Sequence, residues 1–202
     1  IERDEILEVL VLGGDLRYLE IIDDLSSKYS VDVVGYKNTY INDYVHNINV
    51  NDVDIGKYDV IIFPVNGVME NNLIKCRFNN VSIKISDDIL VGSKDSVLIF
   101  SGIPTPNLDR ILEVSNRNCI YMMKDKDVVS SNAIPTVEGI IADVIVNTES
   151  TIHGTNILVF GYGNIGQVLV RYLRLLGANV TVSIIEDKDK EILDSVGIDS
   201  FY

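Results

Sequence analysis

The chain has 202 residues, 47% apolar and 23% charged, with a formal charge of −13. That length fits one large domain or two small ones, and the balance supports a packed core. So acidic a chain is a poor candidate for sequence-independent nucleic-acid binding, which depends on Lys and Arg neutralising phosphates.

The elements follow in order. ILEVLVL (6–12) reads as a strand closed by GGD, and the next thirteen residues (16–28) carry Leu16, Leu19, Ile22 and Leu25 at helical spacing. VDVVGY (31–36), YDVIIFPV (58–65) and DSVLIFSG (95–102) read as further strands, with CIYMM (119–123) as a fifth and a helix over 107–117 before it. Unbroken β-branched runs such as VII are typical of a sheet buried on both faces. The Asn- and Asp-rich segment 37–57 is weakly periodic and reads mostly as loop, with His46 on the surface. Strands alternating with helices argue for a parallel, doubly wound sheet. After SNAIPTVEG (131–139) a helix is expected over 136–148, with Pro135 near its start, where a missing N–H costs nothing. Apolar runs stay far below the ~20 residues of a membrane span. The first twelve residues have no basic flank before their apolar segment, so no signal peptide is expected. Cys76 and Cys119 make neither a disulfide framework nor a zinc spacing and read as reduced thiols in or near a core, with no metal site. A soluble, cytoplasmic protein that binds neither nucleic acid nor membrane is the expectation.

The expected fold class is α/β, with two doubly wound domains. The first, 1–130, is flavodoxin-like and would hold the substrate; 131–150 is an interdomain linker and helix; 151–202 is a truncated NAD(P)-binding Rossmann domain. The last reading rests on ILVFGYGNIG, a strand running into G-x-G-x-x-G at Gly161, Gly163 and Gly166, then a helix (165–176) and a second strand (177–185). This is the β-α-β context the dinucleotide fingerprint requires: the first glycine for a tight turn, the second for close approach of a pyrophosphate, the third for helix–strand packing. Asn164 and Ile165 lie inside the loop. Glu186 stands twenty residues beyond Gly166, about where an acid binds a ribose 2′-hydroxyl, and it also fits a solvated charge run, EDKDKE. Only a short helix (189–196) follows, so the half-built unit and the start at Ile1 lead to the expectation of a longer natural protein.

In the first domain GGD, PVNG (64–67) and SGIPT (101–105) all follow strands, so all three should share the C-terminal sheet edge, where such folds bind ligands. Arg17 falls in the first helical turn, an unfavourable place for a cation unless a bound carboxylate, or Asp15 or Glu20, offsets it. Asp15, Arg17, Asn66 and Ser101 are the candidate substrate contacts on this edge.

Taken together, LGGDLRYLEIIDDL, FPVNGV, FSGI and the long run from SNAIPTVEG through the glycine loop resemble the family of dipicolinate synthase A subunits, over about residues 10–182. The N-x-I-P-T-x-E-G string (132–139) is the most specific part and the glycine loop the least. The resemblance implies a two-domain plan like that of the 2-hydroxyacid dehydrogenases. It also implies NADP-linked oxidation of 4-hydroxy-tetrahydrodipicolinate, or its dihydro product, to pyridine-2,6-dicarboxylate. A partner, the flavoprotein-like B subunit of dipicolinate synthase, and a role in the mother cell of a sporulating bacterium follow from the same likeness, which leaves a homo-oligomer open. The family usually carries Arg and Thr where this chain has Asn164 and Ile165, and an Arg near Ile185 and Glu186, so NAD stands beside NADP as the expected cofactor.

On this reading the segment before the cofactor domain brings Asn132, Thr136 and Glu138 to the reacting centre. Aromatisation of a dihydropyridine needs a hydride acceptor, the cofactor, and a proton acceptor, for which Glu138 is the candidate. Arg17 would hold one substrate carboxylate. Helix capping for Asn132 and Thr136, and a first-turn acid for Glu138, are the structural alternatives. His153 reads as a turn residue. The rival functions are a non-catalytic nucleotide-binding scaffold, another two-domain 2-hydroxyacid-type dehydrogenase, and a protein like S-adenosylhomocysteine hydrolase, whose glycine loop GYGNIG also resembles.

Overall fold

A computed structural model describes residues 6–76 and 81–202 and divides into two compact units, 1–124 and 125–202.

The first unit is built on six strands: β1 (Glu8–Leu12), β2 (Ser30–Val34), β3 (Val45–Ile48), β4 (Val60–Ile62), β7 (Leu98–Ser101) and β8 (Ile120–Tyr121). They form one parallel sheet in the order β3-β2-β1-β4-β7-β8. Without β3 this is the 2-1-3-4-5 winding of flavodoxin-like folds. Alternation along β1 builds both faces. Val9 and Val11 pack on one side with Val31, Val33 and, from α1 (Arg17–Ser26), Tyr18 and Ile22. Leu10 and Leu12 pack on the other with Ile61, Phe63, Ile99 and, from α2 (Pro106–Ser115), Leu108, Ile111 and Leu112. Thr105 starts α2, its hydroxyl accepting from the Leu108 N–H at 3.3 Å, with Pro106 in the first turn where it lacks no needed donor.

Two elements depart from the expectation. Segment 37–57, which reads as mostly loop, contributes the edge strand β3, paired to β2 along Val45–Ile48. His46 sits on that strand, its side chain exposed but its Nδ1 3.2 Å from Asp32 Oδ1. An antiparallel hairpin, β5 (Leu73–Cys76) and β6 (Val81–Lys84), has no counterpart among the expected elements. Its Ile74 and Cys76 are buried while Lys75 between them is exposed. The cue is the period-two alternation on either side of an Asn-Asn pair.

The second unit is α3 (Lys126–Asn147), β9 (Asn156–Phe160), α4 (Asn164–Leu175), β10 (Asn179–Ser183), α5 (Asp187–Ser195) and β11 (Asp199–Phe201). The three strands are parallel in the order β11-β10-β9, the 3-2-1 half of a dinucleotide fold. Its core joins Val159, Val170, Leu173, Val180, Val182 and Leu193, with Ile141 and Val144 of α3 packed against it.

The helix expected over 136–148 begins ten residues earlier, so most of the supposed linker 131–150 is helix in the second unit. Asp125 is the reason: its carboxylate accepts from the Asp127 and Val128 N–H groups at 2.8 and 3.2 Å, an N-cap that starts the helix at Lys126. Pro135 therefore lies inside α3 and deprives the Ser131 carbonyl of its donor. Both residues are exposed, so water can serve that carbonyl. By length and composition α3 is long and apolar enough to cross a membrane, a property that a search for long uninterrupted apolar runs does not detect. It packs along α4.

Candidate functional site

In the second unit, β9 delivers the chain to Gly161 at φ +92°, a left-handed conformation that a side chain strains, so glycine is required there. A methyl group on Gly166 would overlap the Gly161 carbonyl oxygen, so the third glycine is what lets α4 close on the strand. Gly163, the N-cap of α4, has open space where a side chain would go. The Gln167 N–H returns to the Gly163 carbonyl at 2.9 Å, which leaves the N–H groups of Asn164, Ile165 and Gly166 as the unpaired first turn. An open face beside the second glycine and a bare helix N-terminus fit a pyrophosphate. Ile165 is exposed at this mouth rather than packed; the inner face of α4 is carried by Val170 and Leu173. Glu186 is the N-cap residue of α5, just past β10, and its carboxylate pairs with Lys188. The Glu186 partner holds the Lys188 ammonium's pKa above its ordinary value. His153 lies in the turn before β9, against Gly177, at the strand end opposite the glycine loop.

In the first unit, the ends of β1 and β4 and the hairpin enclose a pocket of about 340 Å³ lined by Gly14, Asp15, Tyr18, Asn66 and Lys75. That is near the lower end of the ~300–1,000 Å³ usual for small-molecule sites. The pocket is braced by hydrogen bonds between distant parts of the chain. The Gly14 N–H donates to the Lys75 carbonyl (3.1 Å), the Tyr36 hydroxyl to the Gly13 carbonyl (2.6 Å), and the Tyr18 hydroxyl to the Phe63 carbonyl (3.1 Å). Burial, and then the charge of Asp15, push the Tyr18 phenol up to about 12.

Two candidate contacts on this edge take other roles. Arg17 opens α1 and does not line the pocket. Its Nε and Nη2 grip the Asp15 carboxylate at 2.9 and 2.6 Å, and its backbone N–H donates to the same carboxylate at 3.1 Å. Asp15 thus offsets the cation at the helix N-terminus, a placement that is unfavourable without such a partner. Ser101 is 1% exposed, its hydroxyl 3.3 Å from the Pro64 and Ile103 carbonyls. It ties two loops together rather than facing a ligand. Asp15 and Asn66 do line the pocket, and Lys75, which the sequence pattern alone did not single out, lines it with them.

The string 132–138 does not form one constellation. Asn132 and Thr136 are one turn apart on α3, the Thr136 hydroxyl donating to the Asn132 carbonyl at 3.1 Å. At about 100° per residue, Glu138 points about 160° around the helix from Thr136 and about 120° from Asn132. The capping alternative for Asn132 and Thr136, and the first-turn alternative for Glu138, fail with the helix start: all three are interior helix residues.

Residues 8–123 match the family described as the N-terminal domain of the dipicolinate synthase A subunit. The chain belongs to the family of dipicolinate synthase A subunits. The matched span coincides with the first unit. The A subunit of dipicolinate synthase from Bacillus subtilis (strain 168) is 32% identical over 179 residues, 87% of this chain and 60% of that protein. The chain thus spans 60% of its curated relative's length. The crystal structure of the dipicolinate synthase A subunit from Bacillus halodurans superposes with a TM-score of 0.90 at 30% identity, over 97% of this chain and 68% of that one, so the likeness includes the glycine-loop unit. A transhydrogenase from Sinorhizobium meliloti, 15% identical with a TM-score of 0.59 over 96% of this chain and 64% of its own, shares the fold.

Proposed function

We propose that the chain is part of an oxidoreductase subunit that forms pyridine-2,6-dicarboxylate from 4-hydroxy-tetrahydrodipicolinate or its dihydro product, with NAD or NADP as hydride acceptor. The observation that carries the reading is a complete dinucleotide loop, Gly161 to Gly166, inside a chain of the dipicolinate synthase family. The first unit is read as the substrate domain and the second as the dinucleotide domain.

The chemistry sets the parts. The hydroxylated precursor loses water to give a dihydropyridine; aromatisation then removes one hydride and one proton. The nicotinamide, when bound, takes the hydride. The glycine loop and the α4 N-terminus hold its pyrophosphate, and Glu186 accepts from a ribose hydroxyl, which favours NAD. Glu138 is the only carboxylate in the string 132–138 and is the proposed proton acceptor. Asn132 and Thr136, on another face of α3, are assigned to orienting the ring or carboxamide rather than to proton transfer. Asp15 and Asn66 belong to the substrate pocket, and Arg17 acts on the substrate through Asp15. The B subunit of dipicolinate synthase as partner, a cytoplasmic setting and a role in the sporulating mother cell belong to the same reading.

The test is turnover of the full-length protein with its partner subunit. Appearance of the ultraviolet absorbance of pyridine-2,6-dicarboxylate with NAD or NADP supports the reading. Cofactor binding with no product under any partner condition would replace it with a second one, a nucleotide-binding scaffold, which the divergence of Glu138 from Asn132 and Thr136 favours.

A further inference from the structure

The pocket at the end of β1 needs an anion-binding group other than Arg17. The Nε–Nη2 edge of the Arg17 guanidinium is engaged with Asp15, and the residue lies outside the pocket lining. Asp15, which lines the pocket, is a like charge to any carboxylate that enters.

Lys75 resolves this. It stands on β5, exposed between the buried Ile74 and Cys76, so its side chain must leave the hairpin on the opposite face from theirs. That face lines the pocket, together with Asp15, Tyr18 and Asn66. Its backbone is fixed there by the Gly14 N–H, 3.1 Å from the Lys75 carbonyl, and by the bridge from Gly14 to Cys76. Among the described residues no ion pair holds its ammonium. Among the described residues Asp15 is the one acidic residue in the lining and Lys75 the one basic residue, and Arg17 neutralises Asp15, in a chain whose formal charge is −13.

We infer that Lys75 is the group that binds a substrate carboxylate in this pocket, while the Arg17-neutralised Asp15 beside it accepts a hydrogen bond from a hydroxyl or ring N–H of the same ligand. The ligand class is a small acid with a donor close to its carboxylate. A hydroxylated, nitrogen-containing cyclic diacid meets that description, and to that extent the inference rests on the function proposed above. Arg17 is then a positioning residue: it sets the charge and orientation of Asp15 and does not touch the ligand.

The test uses the full-length protein with its partner subunit and titrates pyridine-2,6-dicarboxylate by calorimetry, alongside steady-state turnover. Because it removes a charge-assisted hydrogen bond, Lys75→Met is expected to weaken diacid binding by about tenfold or more, and to raise the substrate KM by a like factor with kcat within about threefold. Lys75→Arg recovers most of the loss, and nucleotide affinity stays at the wild-type value in both, which guards against misfolding. Binding by the wild type also weakens with added salt, and that dependence flattens in Lys75→Met. Arg17→Met uncovers the Asp15 charge and is expected to weaken diacid binding, and adding Asp15→Asn recovers part of that loss; no effect of Arg17→Met on diacid binding would overturn its positioning role. Unchanged diacid affinity and KM in Lys75→Met, with an active wild type, overturns the inference and leaves the proposed function intact. A wild type that neither binds the diacid nor produces it takes down the function itself, and the inference with it.

Discussion

The glycine loop of the second unit and the pocket around Asp15 and Lys75 in the first occupy the same place in their sheets, past the C-terminal ends of parallel strands, yet they are held in opposite ways. The loop is shaped locally. Gly161, Gly163 and Gly166 lie within six residues, and the close contact that matters, Gly166 against the Gly161 carbonyl, spans five. The pocket is assembled from afar: Tyr18 reaches Phe63, Tyr36 reaches Gly13, and Gly14 reaches Lys75. A site made of neighbours can be lost by one atom and leaves little else disturbed. A site made of distant tethers shares its stability with the whole unit.

The largest effect is therefore expected where a single atom closes the local site. In Gly166→Ala the new methyl group has only a backbone oxygen to push against, and overpacking of this kind costs about 3 kcal/mol. Alanine's better helix propensity returns about 1 of that. Dinucleotide affinity, read by titration of nicotinamide fluorescence, should fall by about two orders of magnitude, since the loop and the α4 N-terminus no longer meet. The first unit should keep its diacid affinity. A loss of both would break the contrast.

The counterpart in the first unit lies away from either site. Asp32, 5% exposed, takes hydrogen bonds from the Tyr58 hydroxyl (2.7 Å) and Lys57 ammonium (3.0 Å), with His46 Nδ1 at 3.2 Å; Lys57 also pairs with Glu8. Burial would raise its pKa, but the bonds from Tyr58, Lys57 and His46 outweigh burial and hold the carboxyl below its ordinary range. A carboxylate whose folded pKa is depressed stabilises the fold above its unfolded value of about 3.9, and that stability drains away as pH falls through the folded pKa. Chemical denaturation followed on the first unit should lose stability below about pH 4. At neutral pH, Asp32→Asn should cost about 2 kcal/mol and flatten the acid limb. An acid limb unchanged in the variant would put the origin of the acid sensitivity elsewhere.

Gly163→Ala sharpens the comparison from the other side. Its φ of −74° suits any residue and nothing occupies the space beside it, so folding stability should stay within about 0.5 kcal/mol. The same methyl group stands where a pyrophosphate would approach, and nucleotide affinity should drop about tenfold. Affinity unchanged by this substitution would mean that the ligand does not approach the second glycine.

The same division decides what the sequence discloses. The glycine loop, β9, α4 and β10 are legible because their determinants sit side by side: an apolar strand, three glycines and an amphipathic helix. The alternating faces of β1 and the helices over them are legible for the same reason. The start of α3 is not, because Pro135 draws the boundary to itself while the Asp125 cap ten residues upstream sets it. That displacement turns a helix interior into a linker and gathers Asn132, Thr136 and Glu138 at one point, where helical geometry spreads them. Lys75 escapes notice because its role depends on which way a short hairpin faces, and Arg17 invites too large a role because its partner lies only two residues away. Ser101 shows the remaining limit: position at a strand end does not reveal whether a hydroxyl looks outward or ties two loops.

The smallest expected effect concerns the choice of nucleotide. Glu186 caps α5 with a carboxylate that has no capping hydrogen bond and is paired with Lys188. A negative charge beside the ribose repels a 2′-phosphate and accepts from a 2′-hydroxyl. Removing it has two consequences of the same sign, because the Lys188 ammonium then loses its partner and becomes available to the 2′-phosphate. Glu186→Ala should therefore weaken NAD binding a few-fold and strengthen NADP binding a few-fold, moving the ratio of the two by about tenfold, or about 1.4 kcal/mol. The double variant Glu186→Ala, Lys188→Ala should retain the NAD loss and forfeit the NADP gain. If the ratio does not move in the single variant, the EDKDKE run is a solvated helix start, and nucleotide choice falls to the loop residues Asn164 and Ile165, which stand at the α4 N-terminus where the first-turn N–H groups are open.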